Sequence, residues 1–343
     1  MDASQADPKS TVLVLGGGGF IGSRLVEMLR TSPEFRPIAA PRRRDLVFHP
    51  DVEVRVCDAT NTTDVSTAMQ DVDYVVHCIT GPPGTTIPVT QVICDVARRL
   101  TPKRLIYLSS SAVYGAATGP IDEGTVPVLP LGWYGTEKLA AEQIILRYVR
   151  DDGDAIILRP SCVYGPGSTQ WTSRIARLLQ AGRIGDLGAG GSGTCNLIYV
   201  DDLARAIMAA LTIPGRTGEV FNISDYNLLT WNDYFAQLGA AIGLCGIKRV
   251  ANFRIGLESR LLAPMLYGAA MLARKIHLPT DRIPPAIPPS LSRLWYQDIR
   301  LITDKYSTHL HVTHTDRDVA LQASAQWFNA IRSTQGAIPT MRP

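Results

Sequence analysis

Thr11-Val12-Leu13-Val14-Leu15 is a short, mostly apolar run that stops at a cluster of glycines, Gly16-Gly17-Gly18-Gly19-Phe20-Ile21-Gly22, and few backbones accommodate both. The run reads as a buried strand ending at Gly16. Beyond the glycines, Ile21, Leu25, Met28 and Leu29 fall on one stripe of a helix, so the order is strand, tight turn, helix. Gly16, Gly19 and Gly22 form G-x-x-G-x-x-G at that junction. In such a turn the first glycine permits the sharp change of direction and the second admits a pyrophosphate to the backbone N–H groups. The third lets helix and strand pack closely. The partial positive charge of a helix N-terminus favours the phosphates. Gly16, Gly19, Phe20, Ile21 and Gly22 are therefore candidate dinucleotide-binding positions; the plainer alternative is a glycine-rich turn without a ligand.

Short β-rich runs then alternate with helical patterns. Strands are expected at Arg36–Ala40, Val52–Val56, Tyr74–His77, Arg104–Ser109 and Ala155–Arg159, with helices that include Val89–Leu100 and Thr136–Arg150. This alternation predicts an α/β fold, a doubly wound parallel sheet of five or six strands joined by right-handed crossovers. From about Trp171 the pattern changes to a helix (Thr172–Ala181), a glycine-rich turn (Gly188–Gly193), a strand (Asn196–Val200) and a helix (Asp201–Thr212). The expected division is a dinucleotide-binding domain over 1–170, rejoined by 194–224, and a smaller C-terminal substrate-binding lobe over 171–193 and 225–343. Pro279–Ser290 is too proline-rich for helix or central strand and is expected as an ordered loop over the pocket mouth. Leu261–Ala273, flanked by Arg260 and Arg274 and interrupted by Pro264, falls short of the ~20 residues of a membrane span. It is expected to be a helix covering the substrate pocket, with interfacial membrane contact as the alternative.

Hydrophobic residues make up 45% of the chain and charged residues 19%, which excludes a disordered chain, and the net charge of +3 points to no particular partner. Six scattered cysteines lack a C-x-x-C pair and read as small core residues in a reducing compartment. The polar start, MDASQADPKS, lacks the character of a signal peptide, so a cytoplasmic location and a frayed N-terminus are expected. His309, His311 and His314 read as a strand whose first pair shares a face rather than as a metal site, and no metal is expected. Asp201 and Asp202 read as caps at a helix start. Nothing in the sequence supports nucleic-acid binding.

Tyr134-Gly135-Thr136-Glu137-Lys138 places a phenol and an ammonium one helical turn apart on one face. A phenol is a poor acid or base at neutral pH, but a nearby cation favours its ionised form and lets it exchange a proton with a substrate oxygen. The serine run at a strand end, Leu108-Ser109-Ser110-Ser111-Ala112-Val113-Tyr114-Gly115, supplies a hydroxyl to hold that oxygen. The candidate catalytic residues are Ser110, Tyr134 and Lys138.

GGGGFIG, SSSAVYG, YGTEK, LRPSCVYGPG (Leu158–Gly167), LIYVDDLARAI (Leu197–Ile207) and EVFNIS (Glu219–Ser224), in this order, resemble the extended short-chain dehydrogenase/reductases. That family is also called the NAD-dependent epimerase/dehydratase family. The resemblance implies a Rossmann-like fold, with Tyr134 as acid/base, Lys138 orienting the cofactor ribose and lowering the tyrosine pKa, and Ser110, rather than Ser111, as the polarising hydroxyl. Three departures narrow the reaction. Ser111 and Ala112 replace the Asp-Glu pair of the dehydratases, the Thr80–Thr85 stretch is short, and Cys162 stands where sugar-nucleotide relatives carry Asn. The C-terminal third looks more like the steroid-dehydrogenase-like branch.

The expected activity is NAD(P)-dependent interconversion of a ketone and a secondary alcohol on a small-molecule substrate. The alternatives are a nucleotide-sugar epimerase that recycles its NAD and a non-catalytic dinucleotide binder. NADP is favoured over NAD, because the strand Arg36–Ala40 runs into Pro41-Arg42-Arg43-Arg44 with no carboxylate until Asp45. Arg42 and Arg43 offer guanidinium groups to a 2′-phosphate; a solvated basic loop is the alternative. Asp58 is placed either at the adenine edge or as a helix cap. A homodimer is expected through a four-helix interface including Thr136–Arg150, on the spacing of Leu139, Ile144, Leu146 and Tyr148.

Overall fold

Val12 and Val14 face one side of a sheet while Leu13 and Leu15 face the other, and all four are fully buried. A strand with no polar face of this kind is buried on both sides, the condition of a doubly wound parallel sheet. The computed structural model describes residues 9–128, 132–276 and 283–336. Its central sheet has seven parallel strands: β1 (Ser10–Leu15), β2 (Phe35–Ala40), β3 (Glu53–Val54), β4 (Tyr74–His77), β5 (Arg104–Leu108), β6 (Ala155–Pro160) and β7 (Val220–Ile223). Their spatial order is β7-β6-β5-β4-β1-β2-β3. The chain reverses direction of travel across the sheet beside β1, whose Leu13 pairs with Ile38 on one side and Val75 on the other. In open α/β sheets, ligands bind at the carboxyl ends of the strands flanking such a point.

Helices α1 (Phe20–Thr31), α2 (Thr62–Ala68), α3 (Thr86–Leu100), α4 (Trp133–Arg150), α5 (Ile175–Gln180), α6 (Val200–Thr212) and α7 (Trp231–Ala241) follow in chain order. Residues of α2, α3 and α4 pack with Leu13, Leu15 and Val75 on one face of the sheet. Residues of α1 and α6 pack with Val12 and Val14 on the other, in a core that continues through Trp231, Phe235 and Trp295. The remaining helices are α8 (Asn252–Leu257), α9 (Ala263–Lys275), α10 (Pro289–Tyr296), α11 (Asp304–Leu310) and α12 (Arg317–Gly336).

Several local expectations are corrected. The strand expected over Val52–Val56 contracts to the two residues of β3 at the sheet edge, and β7 adds a strand beyond the five or six expected. The strand after the glycine-rich turn (Leu197–Tyr199) pairs with Cys162–Tyr164, outside the central sheet. The helix expected over Thr172–Ala181 opens with a wide π turn (Thr169–Arg174) before α5. The histidines do not form a strand: His309 lies in α11, His311 ends it at φ 47°, and His314 meets the Tyr306 hydroxyl at 3.0 Å. Tyr306 and Leu310, four residues apart and both buried, set the helical period that overrides the alternation. Asp201 and Asp202 sit in the first turn of α6 but cap nothing. Asp201 instead pairs with Arg24, and Asp202 accepts from the Thr315 N–H and hydroxyl at 3.0 and 2.7 Å.

Part of the proline segment, 279–282, and the N-terminal stretch 1–8 expected to fray lie outside the described residues. The end of that proline segment is helical, because Pro289 opens α10, where the missing N–H costs nothing. Ile144 and Tyr148, read as dimer contacts, are buried within the chain's own core, and Leu146 packs against the same cluster.

Candidate active site

The first glycine earns its place by conformation: Gly16 has φ +84°. Gly22 earns its place by contact, since a Cβ there would stand 2.3 Å from the Gly16 carbonyl oxygen. Gly19 forms the N-cap of α1 with no side-chain cap, and the first turn carries no acidic residue. The N–H groups of Phe20, Ile21 and Gly22 thus open the helix without intrahelical acceptors, at the end where the dipole is positive. This cradle fits a pyrophosphate. From the loop after β2, Leu46 leans over Gly18, with its Cδ1 2.2 Å from where a Cβ would sit.

Past the end of β5, Ser110 is extended (φ −165°) and its Oγ accepts from the Ala112 N–H at 3.2 Å, capping a short helical turn over Ser111–Tyr114. Gly132, at φ +99°, starts α4, so Tyr134 lies in its first turn with Lys138 one turn further on. The Tyr134 phenol is pushed above its usual value by burial, with hydrogen bonding from Ser110 pulling the other way. The structure therefore brings Ser110 to Tyr134. It does not show Lys138 lowering the tyrosine pKa: burial dominates there, and the ammonium is directed elsewhere. Lys138 Nζ donates to the Leu108 carbonyl at 2.7 Å and lies 5.0 Å from the centre of the Tyr107 ring. Burial brings its pKa down to about 8.

His77, fully buried at the end of β4, has a ring nitrogen Nδ1 that accepts from the Ile79 N–H at 3.2 Å. Its Nε2 lies 3.0 Å from the Thr90 hydroxyl, which itself donates to the Thr86 carbonyl. The imidazole is thus neutral with its proton on Nε2, and burial, helped by the Lys138 charge, drops its pKa to about 3. Glu137, between Tyr134 and Lys138 in sequence, accepts from the N–H groups of Gly84 and Thr86. It fixes the Thr80–Thr85 stretch beside α4.

Beneath the site lies a buried charge network absent from the sequence expectations. Arg159 bonds both oxygens of Glu142, at 2.9 and 2.7 Å, and donates to the Tyr114 hydroxyl at 2.9 Å. Tyr114 donates to Asn222 Oδ1 at 2.7 Å, and the Ser109 hydroxyl donates to Glu142. These residues come from four motifs (SSSAVYG, the YGTEK helix, LRPS and FNIS), so the network locks β5, α4, β6 and β7 around Ser110 and Tyr134. Cys162, whose thiol is pushed up by burial, stays protonated and gives this neighbourhood an apolar wall.

Asp58 is exposed, and α2 is capped by Asn61 instead. Asp58 accepts from the Thr60 N–H and hydroxyl at 3.0 and 2.8 Å; these bonds, and more weakly the Arg42 charge, hold its carboxyl below the usual range. Arg43 forks onto both oxygens of Asp45 in the exposed loop after β2, so its guanidinium is already engaged.

Residues 12–224 match the NAD dependent epimerase/dehydratase family model. The protein y4nG of Sinorhizobium fredii is 30% identical over 220 residues, which is 60% of this chain and 54% of that protein. The 2-alkyl-3-oxoalkanoate reductase of Stenotrophomonas maltophilia is 28% identical over 74% of this chain and 84% of its own length. The crystal structure of UDP-glucuronic acid 4-epimerase from Bacillus cereus, with UDP-glucuronic acid and NAD, superposes with a TM-score of 0.70 at 23% identity. That superposition covers 94% of this chain and 99% of the epimerase, a likeness of fold. With the family match running through both the glycine turn and the Tyr134–Lys138 helix, this chain belongs to the NAD-dependent epimerase/dehydratase family of enzymes.

Proposed function

We propose that the protein interconverts a ketone and a secondary alcohol with net turnover of nicotinamide. The observation that carries this reading is the meeting of Ser110 with Tyr134, one helical turn from a buried Lys138, past the carboxyl end of β5. When bound, the nicotinamide supplies or accepts the hydride. The chain's residues do the rest. Ser110 holds the substrate oxygen, Tyr134 gives that oxygen a proton or takes one from it, and Lys138 keeps a positive charge beneath the pair. The similarity to a 2-alkyl-3-oxoalkanoate reductase supports reduction of a keto group. Ser111 and Ala112, in place of an acid pair, leave no local groups for eliminating water.

The second reading, epimerisation of a nucleotide sugar, draws on the full-length likeness to a UDP-sugar epimerase. The purified protein, offered a panel of ketones and of UDP- and dTDP-sugars, should change nicotinamide absorbance at about 340 nm with a ketone and release its cofactor on gel filtration. Tightly retained cofactor and sugar interconversion without net absorbance change would establish the epimerase instead.

For the cofactor, the end of β2 without a carboxylate and the position of Arg42 support NADP(H) within this NAD-dependent family. A cytoplasmic location and a homodimer belong to the same proposal.

A further inference from the structure

α8, a π turn (Glu258–Leu262) and α9 form one helical segment from Asn252 to Lys275. Its inner face is tied down. Ile255, Glu258, Ser259 and Ala263 are buried, and the Glu258 carboxylate takes the Arg183 guanidinium at 2.8 Å. Its outer face repeats large apolar side chains mostly four residues apart: Phe253, Leu257, Leu261, Met265, Leu272 and Ile276, exposed by 80%, 52%, 59%, 69%, 60% and 54%. Scattered exposed apolar residues need no explanation, but a continuous stripe of this kind marks a contact surface.

The charges beside the stripe identify what it contacts. Between residues 248 and 275 the chain has Lys248, Arg249, Arg254, Arg260, Arg274 and Lys275 against one carboxylate, Glu258, which is buried, held by Arg183 and within 3.7 Å of Arg254, while Arg249 pairs with Asp186 outside the segment. Arg254, Arg260 and Lys275 are exposed. A second copy docked on this face would set these cations against their own kind, with no exposed carboxylate from the segment to answer them. A surface that is apolar below and negatively charged at its rim satisfies both features. We infer that this helical segment lies in the interface of an anionic membrane, its apolar stripe sunk ~5–10 Å into the headgroup boundary and its cations meeting lipid phosphates. The segment lies alongside the membrane and does not cross it.

Full-length protein should co-sediment with vesicles of phosphatidylcholine containing about one quarter phosphatidylglycerol, and much less with phosphatidylcholine alone, with binding falling as salt rises. Arg254→Gln with Arg260→Gln should weaken binding to the anionic vesicles about fivefold per cation removed. Leu261→Gln with Met265→Gln should abolish binding to both. If either variant loses its thermal transition, amide hydrogen exchange on the wild type decides: vesicles should protect 253–276 selectively. No vesicle binding by the wild type, no protection of that segment, or a dimer in light scattering that Leu261→Gln with Met265→Gln dissociates, would overturn the proposal.

Discussion

Lys138 Nζ donates to the carbonyl oxygen of Leu108 at 2.7 Å, which ties the helix bearing the tyrosine to the strand end bearing the serine. The price of this tie is a charge held out of water. The ammonium is almost fully buried, and its pKa falls from 10.5 to about 8.

The sign of the consequence follows from proton counting. Between pH 8 and 10.5 the unfolded chain holds the lysine proton and the folded chain has released it, so this group's contribution to stability rises with pH across that window. Denaturant unfolding of wild type and Lys138→Met at about pH 7.5 and about pH 9.5 should show wild type gaining on the variant by roughly 1–2 kcal/mol at the higher pH. A gap that does not change with pH would mean the lysine is not held in a depressed state.

The Glu142–Arg159 pair gives a second prediction. Removing one member of a buried ion pair leaves the other charged and unsolvated, so Arg159→Met should cost roughly 3–5 kcal/mol. Adding Glu142→Leu should recover much of that loss, because the uncompensated charge is then gone. Unfolding midpoints of the single and double variants test it; additive losses would contradict the paired burial seen here, where the two side chains are 7% and 1% exposed.

What could be read from the sequence, and what could not, follows distance along the chain. The glycine turn and the Tyr134–Lys138 spacing each lie within one local element, where backbone geometry alone fixes the relation of the groups. Glu142 and Arg159 are 17 residues apart on a helix and a strand, and only the tertiary fold makes a charged pair of them. A helical spacing of four from Lys138 to Glu142, with an Arg inside the apolar strand AIILRP, was the signal available. The histidine strand failed because alternation of two histidines is weaker than the buried Tyr306–Leu310 pair that sets the helix. The helix cap, one of the two readings open for Asp58, belongs to Asn61, three residues on, whose side chain accepts from two N–H groups.

The loop after β2 separates two arginines that the sequence could not distinguish. Arg43 is engaged by Asp45, whereas the Arg42 charge is felt weakly by Asp58. Arg42→Ala should therefore shift the NADPH/NADH preference about tenfold or more toward NADH, the size of one lost charge-assisted bond. Arg43→Ala should leave the ratio nearly unchanged. Fluorescence titrations with both cofactors measure this; equal effects of the two substitutions, or a wild type that prefers NADH, would contradict the assignment.

On the proposed mechanism, the Tyr134 phenol exchanges the proton with the substrate oxygen while the glycine turn holds the cofactor. Steady-state kinetics of Tyr134→Phe on a ketone turned over by the wild type, with cofactor affinity measured separately, tests it most directly. The expected result is kcat lower by ~10²–10⁴ with cofactor Kd nearly unchanged. Retention of more than roughly a tenth of the wild-type kcat would contradict it, because a positioned acid/base contributes far more than that.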